Sequence, residues 1–175
     1  GNIMADTVKL APMLEKAGVH ALDVQAGWHE STVPMVHASA PQGAFAHLAE
    51  GVKKSVNIPV VAAYRITDPQ VAEDILAQGK ADLIGMARAL ISDPEWPNKV
   101  REGRVEDICA CICCLRCLDL IMQDKPMDCS VNAQAGREAE FALKKAARAK
   151  KVLVVGGGAA GMEAARGAAL RGHQV

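Results

Sequence analysis

Ala81-Asp82-Leu83-Ile84-Gly85-Met86 is the stretch on which the fold turns. It is short and apolar, it follows a helical segment from Asp68 to Gln78, and it runs straight into Ala87-Arg88-Ala89. Two earlier stretches repeat the plan. Ala21-Leu22-Asp23-Val24-Gln25-Ala26 follows an amphipathic segment from Asp6 to Lys16, and Ile58-Pro59-Val60-Val61-Ala62-Ala63 follows a helix-like segment from Ala44 to Ser55. Helices that recur about every 25 to 35 residues between β-rich runs give the rhythm of βα units on a parallel sheet. Strands that are apolar almost throughout suit a sheet covered on both faces. Local signals agree: Asp68 is placed to cap the third helix, Pro69 to occupy its first turn and Gly79 to end it.

The expected fold class is α/β, with residues 1–108 forming the C-terminal part of a (β/α)8 TIM barrel. Chemistry in that architecture sits where the strands end. Here the strand ends are Trp28-His29-Glu30-Ser31, Tyr64-Arg65-Ile66-Thr67 and Ala87-Arg88-Ala89. Arg65 and Arg88 each follow a buried strand directly, where a charge requires a partner. Loops after the last two barrel strands recurrently bind phosphate; the plainer alternative is that both arginines pair with carboxylates at the rim.

Residues 109–150 carry the second signal. Cys111, Cys114 and Cys117 form a CxxCxxC run, and Cys129 follows with eleven residues between it and Cys117. Three thiolates on a tight loop and a fourth from beyond can converge on one soft metal centre. The asymmetric spacing suits a [4Fe–4S] cluster with one thiolate per iron, whereas zinc sites more often show two separated CxxC pairs. Zinc stays open as the alternative. Cys109 and Cys113 are surplus, and Cys113, inside the loop, could compete as a ligand.

Residues 151–175 carry the third. Lys151-Val152-Leu153-Val154-Val155 reads as a strand running into Gly156-Gly157-Gly158-Ala159-Ala160-Gly161. Gly156, Gly158 and Gly161 fit GxGxxG at the start of a helix from Ala159 to Leu170, the context of a Rossmann-type dinucleotide site. The ribose-binding acid expected about 20 residues further on lies past Val175, so FAD and NAD are not separated by these residues. Three barrel strands and one Rossmann strand lead us to expect a fragment of a longer protein. The 175-residue chain alone would leave sheet edges unpaired.

Composition narrows the partners. Twenty basic and twenty acidic side chains cancel, which gives no electrostatic footprint for nucleic acid or an anionic membrane. Aromatic residues make up 3% of the chain, too few for base-stacking surfaces. No apolar run approaches the roughly 18 residues of a membrane span, and no secretory leader pattern is present. A cytoplasmic location is expected. The basic run Lys144 to Lys151 reads as a solvated linker helix. Of the five histidines, His29 beside a strand end could face a cofactor or substrate; the other four read as surface or satisfied core residues.

Barrel end, four-cysteine loop and Rossmann start, in that order, resemble the NADH:flavin oxidoreductases of the Old Yellow Enzyme type with a C-terminal FAD domain. That family includes 2,4-dienoyl-CoA reductase, 2-enoate reductase and trimethylamine dehydrogenase. The likeness is carried by residues 81–88, Cys111-Ile112-Cys113-Cys114, Cys129-Ser130-Val131-Asn132 and the glycine loop, while residues 27–34 look closest to the enoate reductase branch. The resemblance implies FMN in the barrel, a [4Fe–4S] cluster between domains and FAD on the Rossmann part, with NAD(P)H as electron donor. By position, Cys111, Cys114, Cys117 and Cys129 would be cluster ligands. Backbone at Ala63, Tyr64 and Arg65, and at Ala87 and Arg88, would hold the FMN phosphate. Gly156, Gly158, Ala159, Ala160 and Gly161 would cradle the FAD pyrophosphate. Tyr64 departs from the usual glycine or asparagine, and Ala89 and Ala133 each replace a common proline.

The function so implied is reduction of an activated C=C bond in a small-molecule enoate or enoyl-CoA. Electrons would pass from NAD(P)H through FAD and the cluster to FMN. An amine dehydrogenase of the trimethylamine dehydrogenase type and a non-redox, zinc-stapled nucleotide-binding module are the alternatives. A homo-oligomer is compatible with all three, and the substrate-protonating acid is not identified.

Overall fold

The computed structural model describes residues 3–28 and 31–175; His29, and the expectation attached to it, lies outside the described residues. Two compact units divide the chain at Gly136 and Arg137.

The first unit opens with α1 (Met4–Lys16), β1 (Leu22–Val24), α2 (Ala46–Lys53), β2 (Val60–Ala62), α3 (Pro69–Ala77) and β3 (Leu83–Ile84). The three strands form one parallel sheet in the order β1-β2-β3, with Leu22 opposite Val60 and Val61 opposite Leu83. Each strand is shorter than the apolar run that predicted it, because the ladder closes only where a neighbour lies alongside. Asp68 caps α3 as its residue type demands, its carboxylate accepting from the Gln70 N–H at 2.8 Å. Gly79 leaves the helix with a φ of +66°, the conformation that favours glycine there.

Small residues make the core between helices and sheet. Ala46, Ala49 and Val52 on α2, Val60 and Ala62 on β2, and Ala72 and Ile75 on α3 are all buried together. Short side chains let the helices sit close to the strands, the packing a barrel wall requires. Asp82 stitches the sheet at its edge: it accepts from the Val60 N–H at 2.9 Å and pairs with Lys53. No helix among the described residues is long and apolar enough to cross a membrane.

Beyond the sheet come α4 (Arg88–Ser92), α5 (Trp96–Arg101), a 3-10 turn (Val105–Asp107) and α6 (Arg116–Met122). Trp96 is buried, and its indole N–H is satisfied by the Thr67 carbonyl at 3.0 Å. Gln42 holds Thr67 from the other side, donating to its hydroxyl at 2.6 Å and accepting from its N–H at 3.0 Å. These bonds fix the segment after β2, where the first cavity lies.

The second unit holds α7 (Glu138–Phe141) and α8 (Ala159–Leu170). The linker helix expected from Lys144 to Lys151 is absent, and the segment is irregular. A helix would stack Lys144 on Arg148, a like-charge pair one turn apart that destabilises it. The backbone instead bonds to the end of α8, Ala146 N–H to the Arg171 carbonyl at 2.9 Å. Lys151 to Val155, read as a strand, makes a single parallel bridge between Lys151 and Gln174. Leu153 and Val155 are 89% and 90% exposed, so a sheet surface that would bury them is not formed among the described residues.

Candidate functional site

Two cavities lie side by side in the first unit. The first opens at the C-terminal ends of β2 and β3 and measures about 380 Å³. Ala63, Tyr64, Arg65, Ala87 and Arg88 all line it, together with Asp23, Gln25, Gly85 and Thr67. Sequence-predicted residues from two loops therefore converge.

Backbone conformation explains how. Tyr64 and Arg65 take φ values of +69° and +54°, two consecutive left-handed residues that turn the chain abruptly after β2. A tyrosine in that region carries a strain of about 1–2 kcal/mol, which is why its departure from glycine is notable. Its ring is held edge-on to Phe45 with centroids 6.3 Å apart, and its hydroxyl donates to Gln25 Oε1. Burial, reinforced by the negative charge of Asp23, raises the Tyr64 pKa above the ordinary phenol value. On the facing loop, Gly85 is hemmed in: a Cβ there would stand 3.1 Å from Val61 Cγ1 and 3.3 Å from Ala63 Cβ.

Neither arginine takes a carboxylate partner among the described residues. Arg88 donates from Nη1 to the Val36 carbonyl at 2.6 Å. Arg65, buried, donates from Nε to the Ala40 carbonyl at 2.7 Å and from Nη1 to Cys113 Sγ. Rim pairing with carboxylates, the plainer alternative, is thus not what satisfies them. These contacts to carbonyls and a thiol leave the positive charge of both groups in place, which favours an anion nearby.

The second cavity is bordered by Cys111, Cys114, Cys117 and Cys129, with Ile91, Ile112, Leu115 and Val131 as its apolar walls. Arg88 lines both cavities. Local structure brings the four cysteines to the border of one cavity. Cys113 and Leu115 adopt left-handed φ values of +53° and +63°, which wind the loop before α6 begins at Arg116. Arg116 grips Asp128 with a two-point ion pair at 2.5 and 2.6 Å, so the neighbours of Cys117 and Cys129 are tied together across eleven intervening residues. Asn132 then anchors the returning segment, donating to the Ile91 carbonyl at 2.8 Å.

The thiols differ in environment. Burial pushes the Cys111 thiol up, and a hydrogen bond with Ser130, at 3.3 Å, followed by the Arg116 N–H, holds Cys114 down. Cys109 lies outside the cavity with its Sγ 3.4 Å from the Val131 carbonyl. Cys113 is buried against Arg65. Four soft donors in an apolar shell are the donor set an iron–sulfur cluster takes. Among the described residues no three His, Cys, Asp or Glu side chains gather closely enough for a single ion.

The loop is rooted in a buried carboxylate that sequence reasoning missed. Asp93 Oδ2 accepts from Lys99 Nζ at 2.6 Å and from the Cys109 N–H at 2.8 Å, and Oδ1 accepts from the Glu95 N–H at 3.0 Å. Lys99 also donates to the Asp107 carbonyl at 2.8 Å. Burial acts to raise the Asp93 pKa, but Lys99 and the two N–H groups outweigh it and leave the carboxyl below its ordinary value. Asp93 and Lys99 are six positions apart, a spacing that no helix or strand pairing would have flagged.

In the second unit, Gly156 has a φ of +106° and Gly158 occupies the N-cap position of α8, followed by Ala159 and Ala160 in the first turn. A Cβ on Gly161 would stand 1.9 Å from the Gly156 carbonyl oxygen. Only glycine permits that close approach of helix to loop.

Residues 1–107 match the NADH:flavin oxidoreductase / NADH oxidase family. A metal reductase of Desulforamulus reducens is 54% identical over 163 residues, which is 93% of this chain and 24% of that protein. A cinnamate reductase of Clostridium sporogenes is 39% identical across 100% of this chain and 27% of its own length. Among solved structures, a 2-naphthoyl-CoA reductase in complex with 2-naphthoyl-CoA superposes with a TM-score of 0.88 at 42% identity, covering 100% of this chain and 27% of that one. The chain spans about a quarter of the length of the curated relatives it matches. Parallel βα units, a strand-end cavity and sequence similarity at these levels agree: the chain belongs to the NADH:flavin oxidoreductase / NADH oxidase family.

Proposed function

We propose that this chain contributes the phosphate end of an FMN site, the seat of a [4Fe–4S] cluster and the pyrophosphate loop of an FAD site. The parent would be an NAD(P)H-dependent oxidoreductase that reduces an activated C=C bond of an enoate or enoyl-CoA. When bound, the flavins supply two-electron and one-electron chemistry and the cluster supplies one-electron transfer; the protein's part is placement and tuning. The observation that carries the reading is that Cys111, Cys114, Cys117 and Cys129 share one apolar cavity whose wall, at Arg88, is also the wall of the strand-end cavity. In that cavity, backbone at Ala63, Tyr64, Arg65, Ala87 and Arg88 would hold a phosphate, and the uncompensated charge of both arginines would favour its anionic form. Gly156, Gly158, Ala159, Ala160 and Gly161 would cradle a pyrophosphate, Gly156 by its left-handed conformation, Gly158 as the helix N-cap and Gly161 by close packing. The likeness to a cinnamate reductase and a 2-naphthoyl-CoA reductase supports a conjugated acid or thioester as substrate.

The test is analytical. Anaerobically prepared holoenzyme containing this chain is expected to hold about four irons and four acid-labile sulfides with FMN and FAD, and to oxidise NADH or NADPH when given cinnamate or an enoyl-CoA. Zinc without sulfide, or flavin-free protein, would overturn the reading.

A further inference from the structure

Arg65 belongs to two places at once. It lines the strand-end cavity, yet only 8% of the residue remains exposed. Its Nε meets the Ala40 carbonyl and its Nη1 meets the Cys113 thiol. Cys113 is 7% exposed and stands in the left-handed region at φ +53°, a conformation that resists any L side chain. Its own N–H points at Cys111 Sγ, 3.4 Å away. A continuous line of contacts therefore runs from the turn after β2, through the guanidinium and the Cys113 thiol, to the first cysteine of the cavity. Nothing else about Cys113 accounts for its place: it is outside the four-cysteine wall, and a glycine would meet the backbone demand more cheaply.

We propose that Arg65 is a positioning residue that couples occupation of the strand-end cavity by the flavin phosphate to the set of the cysteine loop, acting through the Cys113 thiol on Cys111. This rests on the FMN and cluster reading above. An anion in the cavity fixes the turn at Tyr64-Arg65. A fixed turn holds the guanidinium against Cys113, and a held Cys113 keeps its N–H on the Cys111 sulfur. Hydrogen bonds to cluster sulfurs are among the features that tune such centres. Coupling of this kind is reciprocal, so a loaded cluster must in turn tighten the flavin site.

The measurement is the FMN dissociation constant of the holoenzyme containing this chain, from flavin fluorescence, with the cluster present and after its removal. The wild type is expected to bind FMN on the order of five-fold or more tightly with the cluster present, and FMN is expected to slow loss of iron to a chelator by a matching factor. Cys113→Ala keeps the strained backbone but offers Arg65 no acceptor, and should bring the ratio of the two constants to within two-fold of unity. Cys113→Ser, whose hydroxyl can accept from Arg65, should retain it. Arg65→Met should behave as Cys113→Ala does, and the double variant should lose no more than either alone. A merely structural role would weaken both constants together and leave their ratio unchanged. An unchanged ratio in Cys113→Ala, or a wild type that binds flavin and cluster independently, overturns the inference while leaving the cofactor reading intact. Wild-type protein that binds no FMN, or no iron with sulfide, overturns both.

Discussion

Replacing Asp93 by asparagine should loosen the root of the cysteine loop, and the structure sets the scale. The carboxylate is 4% exposed and its Lys99 partner 18%, so water does little to screen the pair. Three donors converge on two oxygens: Lys99 Nζ and the Cys109 N–H on Oδ2, and the Glu95 N–H on Oδ1. An asparagine side chain keeps one oxygen and puts an NH2 in place of the other, so at least one donor faces another donor whichever way the amide turns. Hydrogen bonds to charged groups contribute about 1.5–3 kcal/mol, and a buried donor without an acceptor costs about 1–3 kcal/mol. Allowing for the partial exposure of Lys99, the loss is about 2–4 kcal/mol. At 1.4 kcal/mol per decade, amide exchange in the peptide spanning residues 107–117 should accelerate by about 30-fold to several hundred-fold. Hydrogen exchange read by mass spectrometry on the intact protein measures it, with peptides from β2 as the internal control. The pH dependence has a fixed sign. Because the folded pKa lies below the unfolded one, the stabilisation is complete above the unfolded carboxylate pKa of about 4 and fades as pH falls through the folded value. Exchange within three-fold of wild type in Asp93→Asn would refute the claim that this carboxylate holds the loop.

Serine substitution of Cys111, Cys114, Cys117 or Cys129 should each remove iron and sulfide from the purified holoenzyme, while Cys109→Ser should keep both; metal analysis of the five variants decides the ligand set. Gly85→Ala forces a methyl to 3.1 Å from Val61 Cγ1, and should cost about 1–3 kcal/mol with weakened FMN retention, measured by thermal melting and flavin content. Gly161→Ala brings a Cβ against the Gly156 carbonyl oxygen and should lower bound FAD by at least ten-fold while leaving iron content unchanged; equal FAD content would contradict the close-approach argument. The 175-residue chain expressed alone, with β1 and β3 each pairing on one side only among the described residues, should aggregate. Sedimentation measures this, and a monomer with a cooperative melt would refute it.

What could be read from sequence divides along a physical line. The βα rhythm was legible because parallel strands covered on both faces are written as continuous apolar runs, and helix caps such as Asp68 act within one turn of their own position. The four cysteines that border the second cavity were legible as a group because their spacing is local along the loop, save for Cys129, whose segment is tied in by Arg116 meeting Asp128. The reading failed where charge and distance in the chain combine. Arg65 and Cys113 are 48 residues apart, and nothing in either segment marks the other. The basic run at Lys144 to Lys151 has the alanine and lysine content of a helix, yet repulsion between side chains one turn apart and a competing backbone partner at Arg171 leave it irregular. The strand-end arginines show the same limit most clearly. Their need for partners was evident from burial, but carboxylates at the rim were the plainer alternative, and the fold supplied carbonyls and a thiol instead. That substitution matters chemically. A carboxylate would have neutralised each guanidinium, whereas carbonyl oxygens and sulfur leave two positive charges beside the cavity, one of which, Arg88, also borders the cysteines. The unneutralised charge is a property of the tertiary partners alone, and on the proposed reading it is what would let a pair of βα loops seat an anion.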